Sequence, residues 1–407
     1  MKQIIALCFL LYALCACTTT ATRLDGAVRD YSSGNFSAAA GAGLDDNLQT
    51  MISGDALFQE NKFALSDAQF EKTKIKHGGL ASEAGKLLGG QMAGDYAPYM
   101  MDTLFVKYYQ IWDALALGDS ATARVVINQS YDLQTKMSRE YKKLISKNKS
   151  ETLPDGLQND WAAYADIMNP ALMYLSGIYF LNTAQYNDDW ENARLYLTRA
   201  AGMSPQNRYI GADTLAANSR ARPENTAWVF LDAGFAPRLV EQRFDFPMTV
   251  DGELRVISIA ASHPVFNGDT MLPSGASQLA DTDKMFMTEY KEYRINDIIR
   301  AIAAAVARLG IQSAATSRAG PLGGLAAAIY SMATTTAEIR TWATLPRRIY
   351  TMRVKKNKSG LIELNYGANL IQKVEVPFDG NHLIYIRITD RPMEPKVMVI
   401  PRLDRGI

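Results

Sequence analysis

The chain has 407 residues, 48% hydrophobic and 21% charged, with 43 Lys and Arg against 42 Asp and Glu. That length allows two or three domains with a buried core, and the even charge argues against a global field for nucleic acid or an anionic membrane. All three cysteines, Cys8, Cys15 and Cys17, lie at the N-terminus, which argues against a disulfide framework, a catalytic thiol or a cysteine metal cluster further along.

The first element is a leader. A single charge, Lys2, precedes the apolar run Ile4–Ala16, which ends in Leu14-Cys15-Ala16-Cys17. A basic start, a short apolar core and small residues at its end make a secretory signal peptide. The run is too short for a spanning helix, which needs about 20 apolar residues. Leu14-Cys15-Ala16-Cys17 resembles the lipobox of bacterial lipoproteins. The resemblance implies cleavage after Ala16, a diacylglyceryl group on the Cys17 thiol and acylation of the new amine. Two or more chains anchor stably where one does not. Ordinary cleavage without lipidation is the alternative. Thr18, rather than Asp, follows the cysteine; in a Gram-negative envelope that implies the outer membrane. Residues 17–30 are expected to form a lipidated tether, starting with the small polar stretch Thr18–Leu24.

Residues 31–215 read as helical. Apolar side chains recur at steps of three and four, as in Leu104, Tyr108, Ile111, Trp112 and Leu115. Turns are expected at Gly34-Asn35, Gly118-Asp119 and Asn187-Asp188-Asp189. Three segments share a spacing: Gly34-x-Phe36-x-x-Ala39, Gly118-x-Ser120-x-x-Ala123 and Asp188-x-Trp190-x-x-Ala193. The last continues to Ala200 and Pro205, the offsets of the second half of a tetratricopeptide repeat. Small Ala residues let paired helices approach, and Pro205 stops the second one. The period is not kept between units, so the region reads as a divergent tetratricopeptide-like domain. An irregular helical bundle is the alternative.

A break is expected over Gly211–Pro223, and residues 216–407 read as an α+β domain. Trp228–Leu231 and Glu253–Ala260 read as strands. Apolar side chains on both faces of the second suggest that it is covered on both sides. Ala261–Ala280 reads as a loop, with Pro264, Asn267-Gly268, Pro273 and Gly275. Met285–Leu309 reads as a helix, interrupted at Pro321-Leu-Gly-Gly before a second, Ala-rich helix. Ala319–Ala337 has no charge, but its Gly, Ala, Ser and Thr gain little in lipid. Ile349–Val354, Leu361–Leu364, Ile371–Val376, Leu383–Ile388 and Val397–Ile400 read as one small antiparallel sheet. The fold class is therefore α+β, a helical scaffold followed by a domain with a small antiparallel sheet.

Residues able to do chemistry are scattered. His77 follows a lysine-rich stretch, His263 is expected in a loop and His382 ends the turn Asp379-Gly380-Asn381. No histidine has a second one close by, as a zinc site requires, and no metal or cofactor site is expected. Asp45-Asp46 and Asp188-Asp189 fit helix capping better than acid–base catalysis. The basic run Lys136–Lys149 reads as a solvated helix end, and Lys355-Lys356-Asn357-Lys358 as a hairpin tip.

Three further segments carry a wider resemblance. They are Asn169-Pro170-Ala-Leu-Met-Tyr174-Leu175-Ser176-Gly177, Trp228-Val-Phe-Leu-Asp-Ala-Gly234-Phe-Ala236-Pro237, and Ile339-Arg340-Thr-Trp342-Ala-Thr-Leu345-Pro346. Together they resemble a family of bacterial tetratricopeptide-containing envelope lipoproteins. In that family the third motif usually opens with an acidic residue before the arginine; this chain has Ala337-Glu338-Ile339 there. The resemblance implies an outer-membrane lipoprotein facing the periplasm, with no assigned activity. Some relatives are encoded beside lipoproteins that activate peptidoglycan synthases, which points to wall assembly. Arg340, Trp342, Leu345 and Pro346 are expected to fix a helix-to-sheet junction; a surface anchor is the other use.

The sequence thus favours a non-enzymatic scaffold, held to the membrane through Cys17, that presents a concave helical surface to a periplasmic protein. The rival is a glycan- or peptidoglycan-acting enzyme using an Asp/Glu pair in the α+β domain, about 5–9.5 Å apart across a cleft.

Overall fold

The computed structural model describes residues 22–44, 46–74, 95–148, 168–250, 252–366, 369–389 and 395–400. Cys17, His77 and Asp45 lie outside them. Helix α1 covers residues 22–32, followed by α2 (Phe36–Ala40), α3 (Asp46–Gln59), α4 (Phe63–Phe70), α5 (Met100–Ala116), α6 (Ser120–Asn148), α7 (Pro170–Thr183), α8 (Asn187–Met203) and α9 (Ile210–Asn218). Strands β1 (Thr226–Ala233), β2 (Arg238–Val250), β3 (Glu253–Val265) and β4 (Ser277–Asp281) precede the long helix α10 (Thr282–Thr334). Strands β5 (Arg348–Lys355), β6 (Leu361–Tyr366), β7 (Asn369–Glu375), β8 (His382–Ile388) and β9 (Lys396–Val399) follow. The class is mixed helix and sheet, as expected for α+β.

The centre is a sheet ordered β4-β5-β1-β8-β9. Strand β1 is buried along its whole length, and its alternation sorts two apolar sets. Trp228 and Phe230 join Leu383 and Tyr385 of β8 in a core shared with α1, α3, α5, α7 and α8. Val229 and Leu231 face the other way, with Ile384 and Ile386, against Ile362, Leu364, Val374 and Val376 of the β6–β7 hairpin. Helices, sheet and hairpin therefore form three layers, and the largest core draws on both the helical half and the sheet. Helices α5 and α7 sit inside that core and are buried nearly all round. Helix α7 starts where the Asn169 side chain accepts from the Ala171 and Leu172 amides, with Pro170 in the first turn.

The three alanines of the shared spacing, Ala39, Ala123 and Ala193, are fully buried, as is Ala200. Close approach also uses Gly177 in α7: a Cβ there would lie 2.6 Å from Leu197 Cγ in α8. Gly177→Ala should therefore destabilise the fold by about 1–3 kcal/mol through overpacking, read as a lower urea midpoint with an unchanged slope.

Several expectations change. The tether expected over 17–30 gives way by residue 22 to helix α1, because Leu24, Ala27, Val28 and Tyr31 form one apolar stripe in the core. Asn187-Asp188-Asp189 is the first turn of α8, not the connecting turn; the Asp189 carboxylate accepts from the Gln185 and Tyr186 amides. Gly211–Pro223 is half helix, since Ile210, Asp213 and Ala217 of α9 turn one face inward. The expected loop Ala261–Ala280 is strand at both ends, and His263 pairs with Val240 in a ladder. Its partner β2 is not among the expected elements: Pro247 breaks the strand pattern, yet a two-stranded hairpin tolerates a missing donor. One face of strand β3 is covered where Ile257, Ile259 and Ala261 meet Ile298, Ala301 and Ala305 of α10, and its other face is buried only in its second half, at Ala260 and Ser262. Leu254 and Val256 on its other face stay 76% and 68% exposed.

Helix α10 runs through Pro321-Leu-Gly-Gly without a break. A proline inside a helix costs about 3 kcal/mol, and Ala-rich sequence on both sides favours continuation. The C-terminal strands do not make one antiparallel sheet: β6–β7 stands apart, and β8 runs parallel to β1. Lys356 is buried, with its ammonium on the Pro377 carbonyl, so only Asn357 onward forms the turn expected at Lys355–Lys358. Among the described residues no helix is long and apolar enough to cross a membrane.

Candidate functional site: a polar centre between helices and sheet

Asp232 and Arg387 are register partners on the parallel strands β1 and β8, and both side chains turn into the helical core. The Asp232 carboxylate accepts from Tyr108 (3.2 Å) and Tyr385 (3.1 Å), with Tyr109 at 3.5 Å. Asp55 descends from α3 onto the same place. It accepts from Tyr31 (2.7 Å), Thr344 (2.8 Å) and, at longer range, Gln59 (3.4 Å). Arg387 donates from Nη2 to the Thr344 carbonyl at 2.9 Å and stacks 5.2 Å from the Phe235 ring. Its Nε and Nη1 have no hydrogen-bond partner among the described residues. Asp55, Asp232 and Arg387 are all 0% exposed.

Burial without full compensation raises the carboxylate pKa values. Burial pushes Asp55 up to about 6, against the pull of Arg387 and of the Tyr31 and Thr344 hydroxyls. It pushes Asp232 up to about 7, again opposed first by Arg387 and then by Tyr385 and Tyr108. Burial opposes the charge on Arg387, but the phenols of Tyr31, Tyr109 and Tyr385 and the Asp55 carboxylate more than offset it and hold the guanidinium charged.

The segment Ile339–Pro346 wraps around this centre. Trp342 Nε1 donates to Thr344 Oγ1 at 2.9 Å, and its ring lies 5.9 Å from Phe70 and 6.1 Å from Tyr109. Arg340 is buried against Tyr96 and forms a forked ion pair with Glu338, Nη2 to Oε2 being 2.6 Å. The acid two positions before the arginine is thus its partner. Leu345 and Pro346 are buried, and the Leu345 carbonyl accepts from the Ala236 amide at 2.8 Å, tying the third segment to the second.

Two neighbouring nodes complete the arrangement. Asp213 of α9 accepts from Tyr174 (2.6 Å), Trp228 Nε1 (3.0 Å) and Arg353 Nε (2.8 Å), joining the first segment to the second. Near Arg340, Glu289 of α10 accepts from the Met100 and Met101 amides at the start of α5, at 2.6 and 2.8 Å. The neighbouring Asp102 accepts from Tyr96 and the Tyr99 amide, and burial pushes it up to about 7. His382 places its ring nitrogens 3.2 Å from the Ile400 and Asp379 carbonyls.

All three segments singled out in the sequence therefore meet in one region, whereas Asp55, Asp213, Glu289 and Arg387 escaped the sequence reading. Their signal is isolation: Asp55, Asp232 and Arg387 are each single charges inside apolar stretches, as in Leu383-Ile-Tyr-Ile-Arg387-Ile388. Among the described residues no group of three His, Cys, Asp or Glu side chains is placed to hold a metal. No known family model, curated protein or solved structure matches this chain.

Proposed function

We propose that the chain is an outer-membrane-anchored periplasmic lipoprotein that acts as a rigid, non-enzymatic binding scaffold in cell-envelope assembly. Its helices are divergent tetratricopeptide-like pairs, with the α+β part behind them, and the anchor is the lipid on Cys17. The observation that carries the reading is the use made of the carboxylates. Asp55, Asp213 and Asp232 spend their oxygens on tyrosine, tryptophan, threonine and arginine donors that join different layers. Each such hydrogen bond contributes about 0.5–1.5 kcal/mol, which suits a body whose outer surface must keep its shape. A glycan-acting enzyme would need substrate to reach a carboxylate pair, and Asp55 and Asp232 are fully buried.

The test combines anchoring with capture. Cys17→Ser should move the protein from the membrane fraction to the soluble periplasmic fraction. Crosslinking intact envelopes should return an envelope protein with the wild type, above a control carrying only the leader and tether. Retention of the Cys17→Ser protein in membranes refutes the anchor, and capture equal to the control refutes the scaffold.

A further inference from the structure

Cys17 lies five residues before Thr22, where helix α1 begins. Five residues span at most about 18 Å when fully extended. With the lipid on Cys17, the start of α1 is held within that distance of the bilayer surface, together with whatever packs beside it. What packs beside it is the base of the β2–β3 hairpin. Asp25, in the first turn of α1, pairs with Arg238, the first residue of β2, at 2.9 Å. Arg238 is the register partner of Val265 at the end of β3, and Val240 that of His263, so these four share one face of the ribbon. Further along that face Ile257, Ile259 and Ala261 are covered by α10. Val240 and Val265 stay 43% and 39% exposed, and Phe266, the next residue, 36%.

Single exposed apolar side chains are ordinary; these three stand together where the tether enters the body. We propose that the face formed by the start of α1 and the base of the β2–β3 hairpin lies against the lipid surface, with Val240, Val265 and Phe266 seated among the headgroups, and so sets the orientation of the anchored body. The inference rests on the lipid anchor at Cys17 and goes beyond it, because an anchor alone leaves the body free to turn. Three side chains bury too little area to hold a protein on a bilayer, but a short tether keeps them beside it at high effective concentration. The contact is apolar, since Arg238, the charge opposite Val265, is already paired with Asp25. The more exposed Leu254 and Val256 stand on the other face, toward the far end of β3. At about 3.3 Å per residue, Leu254 lies about 36 Å along the strand from Val265, twice the reach of the tether.

The test is fluorescence of the full lipidated chain in phosphatidylethanolamine–phosphatidylglycerol vesicles, with and without bromine on the acyl chains. No natural cysteine follows Cys17, so one introduced cysteine takes the fluorophore. A label at Val240→Cys, Val265→Cys or Phe266→Cys should lose most of its emission to brominated lipid. Labels at Leu254→Cys and Tyr186→Cys, 76% and 72% exposed in the wild type, should lose none. Flotation with the vesicles reads the anchor separately. A chain that floats but is quenched at none of the three positions overturns the orientation and leaves the anchor standing. Quenching at 254 or 186 as strong as at 265 also overturns it, because the body then has no fixed face. So does a blue shift at 265 without bromine quenching, which marks a protein cover in place of lipid. Failure to float removes the anchor, and this inference with it.

Discussion

Asp213→Ala should cost about 2–5 kcal/mol of stability, because it orphans two buried donors at about 1–3 kcal/mol each and leaves the half-buried Arg353 without its partner. The carboxylate is the common acceptor of Tyr174 on α7, Trp228 on β1 and Arg353 on β5. Trp228 and Arg353 are themselves register partners on antiparallel strands, so the change strikes the seam between helices and sheet. Alanine leaves a buried phenol and an indole N–H without an acceptor and opens a small void. Asp213→Asn keeps one acceptor oxygen and should lose much less. Urea denaturation of both variants checks this: a cost below about 1 kcal/mol for the alanine variant would remove Asp213 from the list of groups that hold the layers together.

The second large effect is a reversed pH dependence. Asp55 is pushed up to about 6, and Asp102 and Asp232 to about 7, in each case by burial. Unfolded, these groups titrate near 3.9. Between about pH 4 and pH 7 the folded chain therefore holds protons that the unfolded chain has lost. Stability is then greatest at the acid end of that window and falls as pH rises through the folded values, by up to about 1.4 kcal/mol per pH unit for each group. The melting temperature should be several degrees higher at pH 5.5 than at pH 8, the opposite of a protein held by exposed ion pairs. Asp102→Asn should flatten part of the slope. A melting temperature that rises steadily from pH 5.5 to 8 would show that these carboxylates are ionised in the fold.

The helices were legible where apolar spacing and caps agree, as in α5, α7 and α8, because burial there follows a local period. The strands of Trp228–Leu231 and residues 349–400 were legible for the same reason. Strand β2 and helix α9 were not. The first carries charges and Pro247 on a hairpin open to solvent, and the second is fixed by Asp213 contacts made with distant segments. The residues around Arg340 and Trp342 were visible as a motif, but not their use. The Glu338 partner lies within the motif, whereas Phe70, Tyr96 and Tyr109 come from far away in the chain.

The sequence by itself determined the α+β class and most helices and strands. Each depends on residues close together in the chain, so composition and period suffice. Only the tertiary structure decided that β8 lies parallel beside β1, which brings Arg387 next to Asp232, and that Asp55 closes the same centre from α3. The physical reason is that a lone charge in an apolar stretch has no meaning until its partners are known. Those partners are chosen by strand order and layer packing, across 155 residues from Asp232 to Arg387 on their register-paired strands.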